Sequence, residues 1–271
     1  MNKLTKVGLS ALCGSLASIS TATAGELSVT GGVDMTWMSK EGDQTGNPIG
    51  MGSNLTFKGS GELDNGWAFD YTVAMLNNDA YSNSAVNITM GGLGKLNLNS
   101  GDSANGIKAM DDKIPTAWEE TTGAGLGTGI KNVGGISTSM NIQYTTPTIA
   151  GTTLVLAYAP AMGAADTADK GSSGTRTTKG NGYDATLNIN PSMGTEILSG
   201  LNLFVGAHTS EHISNSSIEE DIFEGVGGVT YSLGPISLGW ARSGFITGQQ
   251  GSGTMTHYKG CLLYTSPSPR D

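Results

Sequence analysis

From Trp67 to Met75 every second side chain is large and apolar. Trp67, Phe69, Tyr71, Val73 and Met75 fall on one side of an extended chain, and Ala68, Asp70, Thr72 and Ala74 on the other. Such a period of two separates into faces only on a strand, because a helix would scatter it around its circumference. Asp64-Asn65-Gly66 comes just before, three residues that tolerate positive φ or bond their own backbone and so favour a tight turn. The faces of this strand want different surroundings. They are core and bulk water in a soluble sandwich, or hydrocarbon and an aqueous interior in a membrane barrel.

The same alternation recurs along the chain. It is read at Leu27 to Trp37, Asn54 to Lys58, Val86 to Met90, Lys95 to Asn99, Met140 to Tyr144, Leu154 to Tyr158, Tyr183 to Ile189, Leu201 to His208, Val229 to Leu233 and Ile236 to Trp240. With Trp67 to Met75 and a further start at Thr254 to Lys259, this predicts about twelve strands. The connections alternate in length. Short turns at Leu63 to Gly66, Gly91 to Gly94, Thr146 to Gly151, Pro191 to Gly200 and Gly234-Pro235 are interleaved with longer polar links. Those links are Ser39 to Met51, Asn77 to Ser84, Gly101 to Ile136, Ala161 to Gly180, Thr209 to Ile222 and Ile246 to Gly253. Strand ends sorted in this way belong to an up-and-down barrel with short turns on one side of a membrane and long loops on the other. A sandwich would need Greek-key crossovers.

The expected fold is therefore an all-β, transmembrane, antiparallel up-and-down β-barrel. Each unpaired amide in hydrocarbon costs several kcal/mol, so strands cross only where every backbone group is paired. On this reading Trp67, Phe69, Tyr71, Val73, Met75 and Leu203 face lipid. Trp37, Tyr144, Tyr158, Tyr183, Tyr231 and Trp240 fit aromatic girdles at the two interfaces.

Met1 to Ala24 has the parts of a secretory signal: Lys3 and Lys6, an apolar stretch from Val7 to Ile19, and Ala22-Thr23-Ala24 before Gly25. Residues 260–271 continue no earlier pattern, and from Cys261 on they are similar to translated sequencing-adapter read-through. They are set apart from residues 25–259 as a non-native tail. Setting both ends aside removes Lys3, Lys6 and Arg270 from 14 basic residues and Asp271 from 23 acidic ones, leaving 11 against 22. So acidic a chain is a poor partner for nucleic acid. No cysteine remains between the two ends, which argues against a disulfide scaffold or cysteine chemistry.

At this point the chain resembles the general outer-membrane porins of bacteria. The residues that carry the resemblance are the signal, the first strand with Gly31 and Gly32, Gly-Glu-Leu-Asp-Asn-Gly-Trp at 61–67, and Gly-Gly-Leu-Gly-Lys-Leu-Asn-Leu-Asn-Ser-Gly-Asp at 91–102. The resemblance implies a barrel of roughly sixteen strands, of which about four and the terminal aromatic residue are not found here. It also implies a homotrimer in outer-membrane lipid that passes small hydrophilic solutes and ions without catalysis. In that family the third external loop folds into the pore. Here that link holds Asp102, Asp111, Asp112, Glu119 and Glu120 against Lys108, Lys113 and Lys131. Folded inward beside a wall bearing Lys58 and Lys95, it would create a constriction with a mild preference for cations. The competing readings are a merely solvated loop, and a plugged adhesive barrel whose external loops bind a partner.

Other chemistry is weakly supported. Asp111-Asp112, Glu119-Glu120 and Glu219-Glu220-Asp221 lack the spaced ligands of a dedicated Ca²⁺ loop, so no cofactor is expected, with loop-bound Ca²⁺ left as a minor alternative. His208, His212 and His257 form no metal motif, Ser210 and His212 are a poor start for a hydrolase, and Gly123 to Gly135 holds no phosphate cradle.

Overall fold

The computed structural model describes residues 25–37, 49–77, 79–100, 105–113, 133–137, 139–162, 179–191, 196–212, 221–234, 236–246 and 256–265. Among them twelve strands run in chain order. They fall into two compact units, residues 1–89 and 90–271.

The first unit holds β1 (Glu26–Trp37), β2 (Ile49–Glu62), β3 (Ala68–Leu76) and β4 (Asp79–Thr89), each antiparallel to the next. The register aligns the two kinds of residue across strands. Leu27, Gly59, Tyr71 and Val86 form one row of the apolar face, and Val29, Phe57, Val73 and Ser84 the next. The other face has Ser28, Lys58, Thr72 and Ala85 in one row and Glu26, Ser60, Asp70 and Asn87 in another. A slip of one residue anywhere would mix the two faces, so the alternation itself fixes the register. The turn before β3 closes through Leu63 N–H to the Trp67 carbonyl (2.7 Å) and Gly66 N–H to the Leu63 carbonyl (2.8 Å), with Gly66 at φ 81°. Trp67 precedes the strand, and its amide donates to Asn65 Oδ1 at 3.1 Å.

One expected long link is short. The Asn77 to Ser84 segment contains only a two-residue connection at 77–78, after which β4 begins at Asp79. Asn77 adopts φ 54° and accepts the Ser53 amide on its Oδ1 at 3.1 Å, which ties the end of β3 to β2 just before the chain turns back. Residues 79–84, Asp-Ala-Tyr-Ser-Asn-Ser, carry little apolar alternation, so the backbone pairing there leaves almost no trace in the sequence. β2 and β10 likewise start earlier than expected, at Ile49 and Ile222: glycines at 50 and 52 and at 225, 227 and 228 break the alternation around Met51 and Val226, and the backbone ladder continues through them.

The second unit holds β5 (Lys95–Ser100), β6 (Asn141–Thr145), β7 (Thr152–Ala159), β8 (Lys179–Ile189), β9 (Leu201–His212), β10 (Ile222–Leu233), β11 (Ile236–Ile246) and β12 (Thr256–Thr265). All pair antiparallel with their neighbours in sequence. Short helical pieces lie between strands: η1 (Gly91–Leu93), η2 (Gly106–Lys113) and α1 (Glu196–Ser199). β12 takes in residues 260–265, which the sequence reading set apart from the fold.

The faces of this unit also differ. One bears Ile142, Leu156, Tyr158, Tyr183, Leu203, Val205, Leu238 and Trp240, all exposed, with the Tyr158 and Tyr183 rings 5.0 Å apart. The other bears Asp184, and it holds the buried residues Ala157, Phe204, His208, Val226, Ala241 and Phe245. A single sheet cannot bury its own face, so something must lie over the Asp184 side.

The facing of the first unit is testable. Val73→Arg, on the apolar face, should lower stability in lipid by about 2 to 4 kcal/mol if that face meets hydrocarbon near the midplane, whereas Ala74→Arg on the other face should fold. Urea unfolding in liposomes measures both; equal tolerance at the two positions would show that the faces are wrongly assigned.

Candidate functional site

What covers the Asp184 face is the link between β5 and β6. Gln143 on β6, Ala157 on β7, Asp184 on β8, His208 on β9, Glu224 on β10 and Phe245 on β11 are successive register partners, so they share one row of one face. Acceptor side chains sit on every second strand of this row, about 9.5 Å apart by ordinary strand spacing. The two stems of the link bring backbone donors to them. Gly106 N–H reaches Gln143 Oε1 at 3.0 Å, and Ile107 N–H reaches Asp184 Oδ2 at 2.7 Å. From the returning stem, Ile136 N–H reaches the same Asp184 oxygen at 3.3 Å, while Gly134 and Gly135 N–H reach Glu224 Oε2 at 2.7 and 3.1 Å. Successive amides at 134–136 thus form a small anion-binding concavity over two carboxylates.

Asp184 is the centre of this arrangement. Its other oxygen, Oδ1, lies 2.5 Å from His208 Nδ1, and both side chains are 1% exposed. A buried carboxylate is tolerated only when its lone pairs are used, and here a histidine and amides from both stems use them. The close approach explains two glycines. Gly106 and Gly135 have φ of 56° and 53°, and a Cβ on either would run into the Asp184 carboxylate.

Apolar contacts complete the docking. Ile107, Met110 and Val133 from the link pack on Phe204, Val226, Ala241 and Phe245 of the wall. Ile136 packs with Ala157, Ala159 and Met162. Ile107 and Ile136 are fully buried, and each such side chain stabilises the docked state by about 1.5 to 3 kcal/mol. The expectation that the non-lipid face meets only water therefore needs correcting: where the link docks, that face is covered by protein and carries buried apolar side chains beside its hydrogen-bonded polar ones.

The expected site residues are placed unequally. Lys58, in the first unit, pairs with Asp70 at 3.6 Å, and Asp70 also accepts from Asn87 at 2.8 Å. Lys95 opens β5 opposite Thr145, on the Asp184 face, and is exposed. Asp111 and Asp112 lie in η2, but their side chains, like the whole of Asp102, Glu119 and Glu120, fall outside the described residues. Phe69, Tyr71, Val73 and Met75 share the apolar face of the first unit, Trp67 sits in the turn before it, and Leu203 lies on the Tyr183 face of the second. Sequence reasoning passed over Asp184, Glu224, Gln143 and the two glycines as docking residues. A carboxylate in mid-strand, as at Asp184 and Glu224, was the available signal. Among the described residues no three His, Cys, Asp or Glu side chains gather as a metal site.

The model of one family, described as Gram-negative porin, matches residues 8–260. The chain is a Gram-negative porin. No curated protein matches it. Among solved structures it is similar to the anion-selective porin from Comamonas acidovorans, at 18% identity and a TM-score of 0.50, over 88% of this chain and 73% of that one. The family makes the porin an outer-membrane channel rather than an enzyme, and it makes the docked link a loop lying on the lumen wall.

Replacing Asp184 by Ala strands His208 and the amides of Ile107 and Ile136. The porin should lose about 3 to 5 kcal/mol of stability, and its loop should lift from the wall, so that single-channel conductance rises. Ala185→Ser, on the opposite face of the same strand, should leave conductance unchanged. Planar-bilayer recording separates the two.

Proposed function

We propose that this porin is a homotrimeric passive diffusion channel for small hydrophilic solutes and ions, mildly cation-preferring, exported by a signal removed before Gly25. The observation that carries the reading is the docking of both stems of the third long link on one wall by Asp184 and Glu224. With its stems tied there, the link narrows the passage, and its own charges supply the local field.

The two wall carboxylates are committed to loop amides, so they contribute little to what a passing ion meets. The link between 101 and 136 carries five acids, Asp102, Asp111, Asp112, Glu119 and Glu120, against three lysines, Lys108, Lys113 and Lys131. Lys58 is already answered by Asp70, and Lys95 offsets part of the excess. That balance favours cations. The Comamonas porin is anion-selective, but at 18% identity the likeness is one of fold alone and carries no selectivity over to this chain.

Planar bilayers under a KCl gradient test the reading. The reversal potential should take the sign of cation selectivity and move toward zero when Asp111, Asp112, Glu119 and Glu120 are replaced by their amides. A wild-type potential of anion sign would overturn the preference, and absence of ohmic conductance would overturn the channel.

A further inference from the structure

The row that holds the loop contains a histidine, and that histidine stands between two carboxylates. His208 on β9 is the register partner of both Asp184 on β8 and Glu224 on β10, so a Cβ lies about 5 Å away on either side. Its Nδ1 meets Asp184 Oδ1, and the ring is buried. A carboxylate only accepts, so Nδ1 is the donor there and a second proton can go only to Nε2.

Docking encloses whatever charge this row carries. Asp184 is buried and Glu224 half-buried, and stem amides occupy Asp184 Oδ2 and Glu224 Oε2. Over a neutral imidazole the stems close on two negative charges; over an imidazolium they close on a net of one. Withdrawing an uncompensated charge from water is costly, so the docked loop favours the protonated ring. That proton displaces none of the loop's contacts, because His208 uses Oδ1 and the Ile107 and Ile136 amides use Oδ2.

The surroundings leave the balance to these three groups. Gln143, Ala157 and Phe245 complete the row without charge. The adjoining rows of β8, β9 and β10 hold Thr186, Gly206 and Val226 on one side and Gly182, Ser210 and Ile222 on the other. The returning stem at 133–137 is uncharged, while η2, packed over β7 to β10, carries Lys108 and Lys113, both half-buried, with Asp111 and Asp112. On β9 itself Glu211 is on the opposite face and His212 ends the strand. Beside the ring Gly182 has no side chain, and the Met162 thioether fills that space, where a Cβ would also stand 3.3 Å from His208 Cε1. A flexible thioether is a cover that can move aside and admit water to the ring.

We infer that His208 is the proton-sensitive positioning residue of the loop: its protonation holds both stems on the wall, and its deprotonation lets them lift, so that opening of the passage depends on pH. The inference rests on the diffusion-channel reading above. His208 acts through Asp184 and Glu224 and touches no solute.

Single-channel recording of the whole chain in planar bilayers, stepped from about pH 8 to about pH 5, where imidazoles as a class change charge, reads the fraction of time spent at raised conductance. In the wild type that fraction should fall about tenfold on acidification, the order expected for one added charge-assisted contact. His208→Asn keeps a neutral donor near the place of Nδ1 and cannot be protonated, so its fraction should stay at the wild-type alkaline level throughout. Glu224→Gln keeps the buried pair and should shrink the change to about threefold, since one of the two carboxylates is gone. His212→Asn should leave it intact. A histidine with a merely structural role predicts a wild-type fraction that ignores pH, or the same pH dependence in His208→Asn; either result, or a fraction that rises with acid, overturns the inference. Where His208→Asn fails to insert, the wild type and Glu224→Gln decide: a flat wild type, or a full tenfold change that survives Glu224→Gln, overturns it. Ohmic channels with pH-independent opening defeat this inference alone, and absence of ohmic conductance at every pH defeats the function proposed above.

Discussion

Backbone amides must have partners wherever water is excluded, and the loop on the lumen wall meets that demand through one carboxylate. Asp184 takes the Ile107 amide from the outgoing stem and the Ile136 amide from the returning one, while His208 occupies its other oxygen. A loop that crossed this apolar stretch of wall without those acceptors would leave several buried donors unsatisfied, each costing about 1 to 3 kcal/mol. Gln143 and Glu224 extend the same solution to the neighbouring amides. The docking is therefore polar in its register and apolar in its bulk, with Ile107, Met110, Val133 and Ile136 supplying the buried area.

The same rule, applied to the strands, gives the wall. Antiparallel neighbours pair throughout each unit, and once the ladder satisfies the backbone the side chains are free to sort by solvent. The sorting is cleanest in the first unit, where one face runs through Leu27, Phe57, Tyr71 and Val73 and the other through Ser28, Lys58 and Asp70. It is less clean in the second because the lumen face there serves two neighbours, water and the docked loop. Phe204, Val226 and Phe245 point inward for the loop, and a plain alternation of apolar-out and polar-in does not describe them.

This difference explains what could be read in advance. The strands were legible wherever large apolar residues alternate, as at Trp67 to Met75 and Tyr183 to Ile189. They were not legible at Asp79 to Ser84 or through Gly225, Gly227 and Gly228, where ladder pairing is made by the backbone and the side chains leave no pattern. The short β3–β4 connection was missed for that reason. The constriction was sought in the loop's many acids, the louder signal in composition. The docking lies in Asp184 and Glu224, single carboxylates within strands that looked like ordinary lumen-facing positions.

The sequence by itself determined the fold class, the order of the strands, and which side chains share a face, because period two and turn chemistry are local and survive without any knowledge of neighbours. Only the tertiary structure decided where the loop lies and what holds it. Residues 107 and 136 meet residue 184 across 77 and 48 positions of chain, and Glu224 joins the row of Asp184 only through the intervening strand. Such meetings depend on the register summed over several hairpins, and no window of the sequence contains that sum.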